Sequence, residues 1–255
     1  MHPELFSFHL PFGSLQVTIY SYAFCIAFGT LLAVIYTKWQ AKKTLKITLS
    51  NNFFYLVFIA GFIGGKLFLF LEKPMHYIQN PKSFLNFFSG GFVFYGSFIC
   101  TVVFIIWYLN KQKISVLPIL DILAIATTIV HVIGRIGCYF AGCCFGKPTN
   151  SFLGIVFPTT NSTPVHPSQL YEVISILLIM IGLFIIKKNK QFIGQVFLSY
   201  VILYAIARSI LELFRGDKRG FIIEQYLSHS QFIAICLTII VCHFYYKLNK
   251  KTIIN

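Results

Sequence analysis

Carboxylates are scarce in this chain: Asp and Glu number 7 among 255 residues, and all charged residues together make up 11%. A water-soluble domain carries roughly 25%, so a fold that meets water on every side is excluded. Also missing are any low-complexity tract, any appended polar domain and any clear internal repeat. No Lys or Arg precedes the first apolar run, which therefore lacks the basic flank of a cleavable secretory signal and is expected to stay in place as an anchor.

What is abundant is apolar: hydrophobic residues reach 57%. They fall into runs close to the roughly 20 residues that cross a hydrocarbon core. The runs predict seven transmembrane helices near 15–37, 52–71, 91–109, 115–134, 168–186, 191–212 and 229–246, separated by lysine clusters. The expected fold is an all-α integral membrane protein, with residues 1–255 forming one polytopic domain and 135–167 a small extracytoplasmic head. Cytoplasmic loops accumulate Lys and Arg. An outside N-terminus puts 12 of the 21 on the inner side and 7 on the outer, with Lys66 and Arg208 within or at the edge of spans. The C-terminus is then cytoplasmic. The net charge of +14 is spread over short loops next to the membrane, which points to anionic lipid as partner and away from nucleic acid.

Three segments carry candidate chemistry. His131-Val-Ile-Gly134-Arg135-Ile-Gly137-Cys138 continues through Gly142, Cys143, Cys144 and Gly146; its glycines permit close backbone approach or positive φ, and an Arg at membrane depth needs a partner or water. Tyr204, Arg208, Glu212 and Arg215 are spaced i, i+4, i+8 and i+11, so a continuous helix puts them on one face, where a second cation beyond an Arg–Glu pair suits an anionic ligand. His166-Pro-Ser-Gln169-Leu-Tyr-Glu172 opens a helix, with Ser168 placed to cap it and Glu172 in the first turn. There His166 and Gln169 are candidates to bind a headgroup.

These segments, with Tyr22 in an early Tyr-Ser-Tyr-Ala-Phe stretch, come in the order seen in the prolipoprotein diacylglyceryl transferases, and the chain resembles that family from about residue 20 to 235. The resemblance implies an enzyme without metal or cofactor that moves a diacylglyceryl group from phosphatidylglycerol to the lipobox cysteine thiol of a prolipoprotein signal peptide, releasing glycerol phosphate. It implies that Arg135 and Arg208 hold the phosphate, that Glu212 orients Arg208, and that Tyr22 and Tyr95 line the headgroup pocket and aid proton transfer. Gly134, Gly137, Gly142, Gly146, His166, Gln169, Tyr204 and Arg215 would complete the substrate site.

The chain departs from the family pattern at three places. Cys138 stands where the signature has Asn, Cys143 where it has Glu, and Tyr95 where a histidine is usual. Cysteines in an external loop can form a disulfide, supply a nucleophile or bind a metal. The C-x4-C-C spacing is a weak zinc pattern, with only His131 or His166 in view as a further ligand. Cys25, Cys100, Cys236 and Cys242 lie in apolar runs and read as packing residues. Two other functions fit: a diverged paralogue that uses Cys138 or Cys143 in another lipid or thiol transfer, and a phospholipid-binding or transport protein, the transporter being weakened by the absence of inverted halves.

Overall fold

The computed structural model describes residues 4–9, 16–72, 74–80, 93–216, 221–223 and 227–254. Lys73, Lys82, Asp217, Lys218 and Arg219 lie outside these residues, as does the side chain of Tyr95. The described residues contain helices α1 (Ser21–Leu45), α2 (Asn51–Glu72), α3 (Pro74–Gln79), α4 (Phe94–Lys111), α5 (Val116–Phe140), α6 (Ser168–Lys188), α7 (Gln195–Leu211) and α8 (His229–Ile254). Two short antiparallel hairpins join them, β1 (Glu4–His9) with β2 (Gln16–Tyr20) and β3 (Phe221–Ile223) with β4 (Leu227–Ser228).

Among the described residues, five helices are long and apolar enough to cross a membrane: α1, α2, α5, α6 and α7 with the turn that follows it. α4 adds a shorter apolar stretch, Gly96–Lys111. Large apolar side chains cover much of the outer helix surface, and the few polar groups of the spans turn inward. On α6, Ile174, Leu178, Ile181 and Ile185 are exposed, while Gln169 and Glu172 are buried. That arrangement suits lipid as solvent, since helices satisfy their own backbone and apolar faces cost nothing in hydrocarbon.

Two boundaries differ from the expectation. The first apolar run was expected to be helical from about 15, yet 16–20 pair as a strand and the helix runs Ser21–Leu45. Val17, Thr18 and Ile19 are β-branched and favour that pairing. The fourth was expected to end near 134, but α5 continues to Phe140. Gly134, Arg135, Gly137 and Cys138 are therefore helical, and the irregular head begins after them.

Contacts divide the chain into two compact units, residues 1–40 with 120–255, and residues 41–119. In the smaller unit α2 packs on α4 with almost no gap. A Cβ placed on Gly64 would come 2.4 Å from Cys100 Cβ and 2.6 Å from the Gly96 carbonyl oxygen. Small residues allow this approach where no hydrophobic force drives helices together. In the larger unit α7 packs on both α6 and α8. Asp121 of α5 anchors the start of α7: its carboxylate accepts from the backbone N–H of Gly194 at 3.0 Å and of Phe197 at 2.9 Å, and pairs with Lys190. A carboxylate there satisfies amides that lack helical partners and meets the positive end of the helix dipole.

Between α5 and α6, residues 141–167 fold into a small lobe. Its strands of chain are tied by hydrogen bonds from Gly146 N to His166 O, His166 N to Lys147 O and Ile155 N to Val165 O. Phe157, buried at its centre, stacks on Phe145 and meets Tyr139 edge-on.

Candidate functional site

α5 carries His131, Arg135 and Cys138 at i, i+4 and i+7, hence on one face. Gly134 and Gly137 sit on a neighbouring face and let α1 approach. A Cβ on Gly137 would meet Cys25 Cβ at 2.7 Å and Tyr22 Cα at 3.3 Å, and one on Gly134 would meet Ile26 Cδ1 at 2.9 Å. Their role is helix packing: the room they make is filled by α1, and it brings Tyr22 beside Cys138.

The centre of the site is Glu172, 3% exposed on α6. One carboxylate oxygen lies 3.0 Å from His131 Nε2 and 3.0 Å from Arg135 Nη2; the other faces Arg215 Nη1 at 3.8 Å. Glu172 was expected to serve the dipole of its own helix. Instead it lies beyond the first turn's open amides and neutralises cations from two other segments. Ser168 likewise makes no cap and donates its hydroxyl to the Cys144 carbonyl at 2.9 Å.

Arg208 and Glu212 form the pair expected from their spacing, with Nη2 and Oε2 2.6 Å apart. The approach is close but poorly directed. Arg208 Nη1 and Nη2 are buried without a hydrogen bond, as is Glu212 Oε2. The expected single face breaks here: α7 ends at Leu211, Glu212–Phe214 is a 3-10 turn, and Arg215 is extended. The tighter turn redirects the chain, so Arg215 pairs its backbone with Gly146 and sends its guanidinium to Glu172. Tyr204 stays on the α7 face, its ring 5.3 Å from that of His131.

Three guanidinium groups, Arg135, Arg208 and Arg215, thus meet two carboxylates, Glu172 and Glu212. Charge is expensive at such depth unless it is partnered. Such a cluster suits an anion carrying several acceptor oxygens, because guanidinium stays ionised and offers paired donors.

The cysteines converge beside it. The Sγ atoms of Cys138, Cys143 and Cys144 lie within 4.8 Å of one another, all as free thiols. Cys144, outside the helices, has its thiol held well below the usual range by the Cys138 and Cys143 thiols, with Arg135 and Arg215 adding to the effect. His166 and Gln169, candidates for a headgroup, support the lobe. His166 Nδ1 lies 3.1 Å from the Tyr171 hydroxyl, and Gln169 Nε2 donates to the Cys143 carbonyl at 2.7 Å. Gly146 lies against Phe214 and His166, and Gly142 alone of the four glycines has positive φ, +65°. Tyr95 stands at the start of α4 in the smaller unit.

Sequence reasoning left out two members of this cluster, Glu172 as its hub and His131 as its partner. The scarcity of acids was the available signal: a carboxylate in a chain with 7 of them, set in an apolar run, needs cations to face.

Fold and cluster define a multi-pass membrane protein with a buried arginine–carboxylate network at the ends of three helices. The chain belongs to the prolipoprotein diacylglyceryl transferase family, whose family model, described as "Prolipoprotein diacylglyceryl transferase", matches residues 10–247. It is 35% identical over 255 aligned residues to the phosphatidylglycerol–prolipoprotein diacylglyceryl transferase of Clostridium tetani, covering 98% of both chains. It is 34% identical to phosphatidylglycerol–prolipoprotein diacylglyceryl transferase 2 of Clostridium perfringens, covering 87% of this chain and 88% of that one. The Rickettsia typhi transferase is 30% identical, with 98% of each covered.

Proposed function

We propose that this protein transfers a diacylglyceryl group from phosphatidylglycerol to the lipobox cysteine thiol of prolipoproteins, releasing glycerol phosphate. The observation that carries the reading is the Arg208 guanidinium, buried with two nitrogens lacking hydrogen bonds beside the Arg135–Glu172 pair. A phospholipid phosphate satisfies that deficit. As the ester bond breaks, negative charge grows on the departing phosphate, and fixed donors at that point lower the barrier most.

Arg208 and Arg135 hold the phosphate, Glu212 orients Arg208, and Glu172 keeps Arg135 and Arg215 in place. Tyr22, beside Cys138, lines the pocket, and Tyr95 holds the family's histidine position in the sequence. Gly142 shapes the loop that carries Cys143, while Tyr204 and His131 close the wall of the cluster. The chain crosses the bacterial inner membrane seven times, its N-terminus and the 141–167 lobe outside and its C-terminus in the cytoplasm. The 12-to-7 division of basic residues supports that orientation.

Complementation tests the function. In a strain depleted of its own transferase, the parent gene restores growth and lipid-modified prolipoproteins, and Arg208→Ala does not. A well-expressed parent that leaves prolipoproteins unmodified overturns the reading.

A further inference from the structure

Cys138, Cys143 and Cys144 are held together by the fold, not merely close in sequence. Cys138 lies in the last turn of α5, and the chain turns back through Gly142 at φ +65° and Cys144 at φ +64°. Cys144 has no glycine's freedom, so its left-handed backbone must be held in place. The start of α6 holds it there: Gln169 donates to the Cys143 carbonyl and Ser168 to the Cys144 carbonyl, and both side chains are buried. Neighbouring residues that would point apart in extended chain instead bring their thiols to the third. Sulfurs bound to one tetrahedral metal at about 2.3 Å lie about 3.8 Å apart. Starting within 4.8 Å of one another, these three need to close by about 1 Å at most.

We propose that Cys138, Cys143 and Cys144 bind one zinc ion, or a kindred d10 divalent cation, as three thiolates, and that its fourth position takes the thiol of the acceptor cysteine. Among the described residues the group has three ligands and no fourth, the pattern of a catalytic site that keeps a position open. Three thiolates on a divalent ion leave one negative charge, which faces Arg135, one turn earlier on α5. The inference rests on the transferase reading, for it supplies what that reaction needs where the family's Asn, Glu and His are replaced by Cys138, Cys143 and Tyr95. On coordination the acceptor thiol displaces a bound water and gives its proton to solvent. Its sulfur then attacks the glyceryl carbon that bears the phosphate ester. A carbon–sulfur bond forms, the carbon–oxygen bond breaks, and the electron pair leaves on glycerol phosphate, held by Arg208. The thioether is neutral and a poor ligand, so water returns. The metal stays divalent throughout.

The test uses the full chain in detergent, stripped with chelator and reloaded with cobalt(II). One cobalt binds per chain with sulfur-to-cobalt charge-transfer absorption, and a lipobox peptide shifts the ligand-field bands while its Cys→Ala analogue does not. Cys143→Ser and Cys144→Ser each weaken binding by more than the roughly hundredfold that loss of an outer-shell partner costs, with melting curves confirming that the variants fold. Cys242→Ser, far along α8, leaves binding unchanged. Arg208→Lys keeps the cobalt spectrum and loses transfer, which separates the metal site from the phosphate site. A peptide-responsive cobalt site in a chain that transfers no lipid supports the metal site and refutes the transferase reading. Full transfer activity in stripped protein, or a Cys138 disulfide with Cys143 or Cys144 in the active enzyme, overturns the metal site and leaves the transferase intact.

Discussion

Glu172 is the residue on which the cluster's integrity depends. It faces His131, Arg135 and Arg215 from a nearly fully buried position. Removing one member of such a buried network leaves the others uncompensated, at a cost of about 3–5 kcal/mol. Glu172→Gln preserves the volume and removes the charge, so unfolding in detergent should begin at distinctly lower temperature or denaturant than in Glu212→Gln, whose partner is the single Arg208. Equal stabilities for the two variants would show that Glu172 is a peripheral contact. The same residue shows where sequence reading stopped. Its apolar setting was visible, but its partners come from 37 and 41 residues upstream and 43 downstream, separations that no local pattern encodes. The Arg208–Glu212 pair, four residues apart on one helix, was legible for the opposite reason.

At the scale of elements, apolar runs placed the helices well because lipid imposes both length and composition. The misread boundaries have local causes: a β-branched run captured 16–20 as a strand, and α5 continued past an Arg because Glu172 supplies the partner that a helical Arg135 needs. Glycines misled in one direction. Gly134 and Gly137 suggested ligand approach, whereas helix packing uses the same absence of a Cβ, and only the partner helix distinguishes the two. The α2–α4 contact makes this testable within the smaller unit. Gly64→Ala forces a Cβ against Cys100 Cβ and the Gly96 carbonyl, and overpacking of this kind costs about 1–3 kcal/mol. Adding Cys100→Ala should not rescue it, because the Cys100 Cβ and the Gly96 carbonyl remain. Parental stability in the single variant, read by chemical unfolding in detergent, would show that the helices separate freely.

For the whole molecule, composition alone separated membrane from water, and the ordered motifs pointed to the family. The convergence of three thiols was beyond reach, since it depends on left-handed turns at Gly142 and Cys144 and on two hydrogen bonds from α6. Orientation rests on charge. Reporters fused after residues 150 and 255 should report the first outside and the second in the cytoplasm, and the reverse pattern would put the cluster on the wrong side for a secreted acceptor. The most direct measurement is transfer itself, using purified chain, phosphatidylglycerol labelled in its diacylglyceryl part, and a lipobox peptide. The parent should form the peptide thioether and release glycerol phosphate in equal amounts. Arg208→Lys should lose roughly tenfold to a hundredfold, as one charge-assisted bond of about 1.5–3 kcal/mol disappears from the phosphate. A parent that forms no thioether, or an Arg208→Lys variant that matches it, would contradict the assignment.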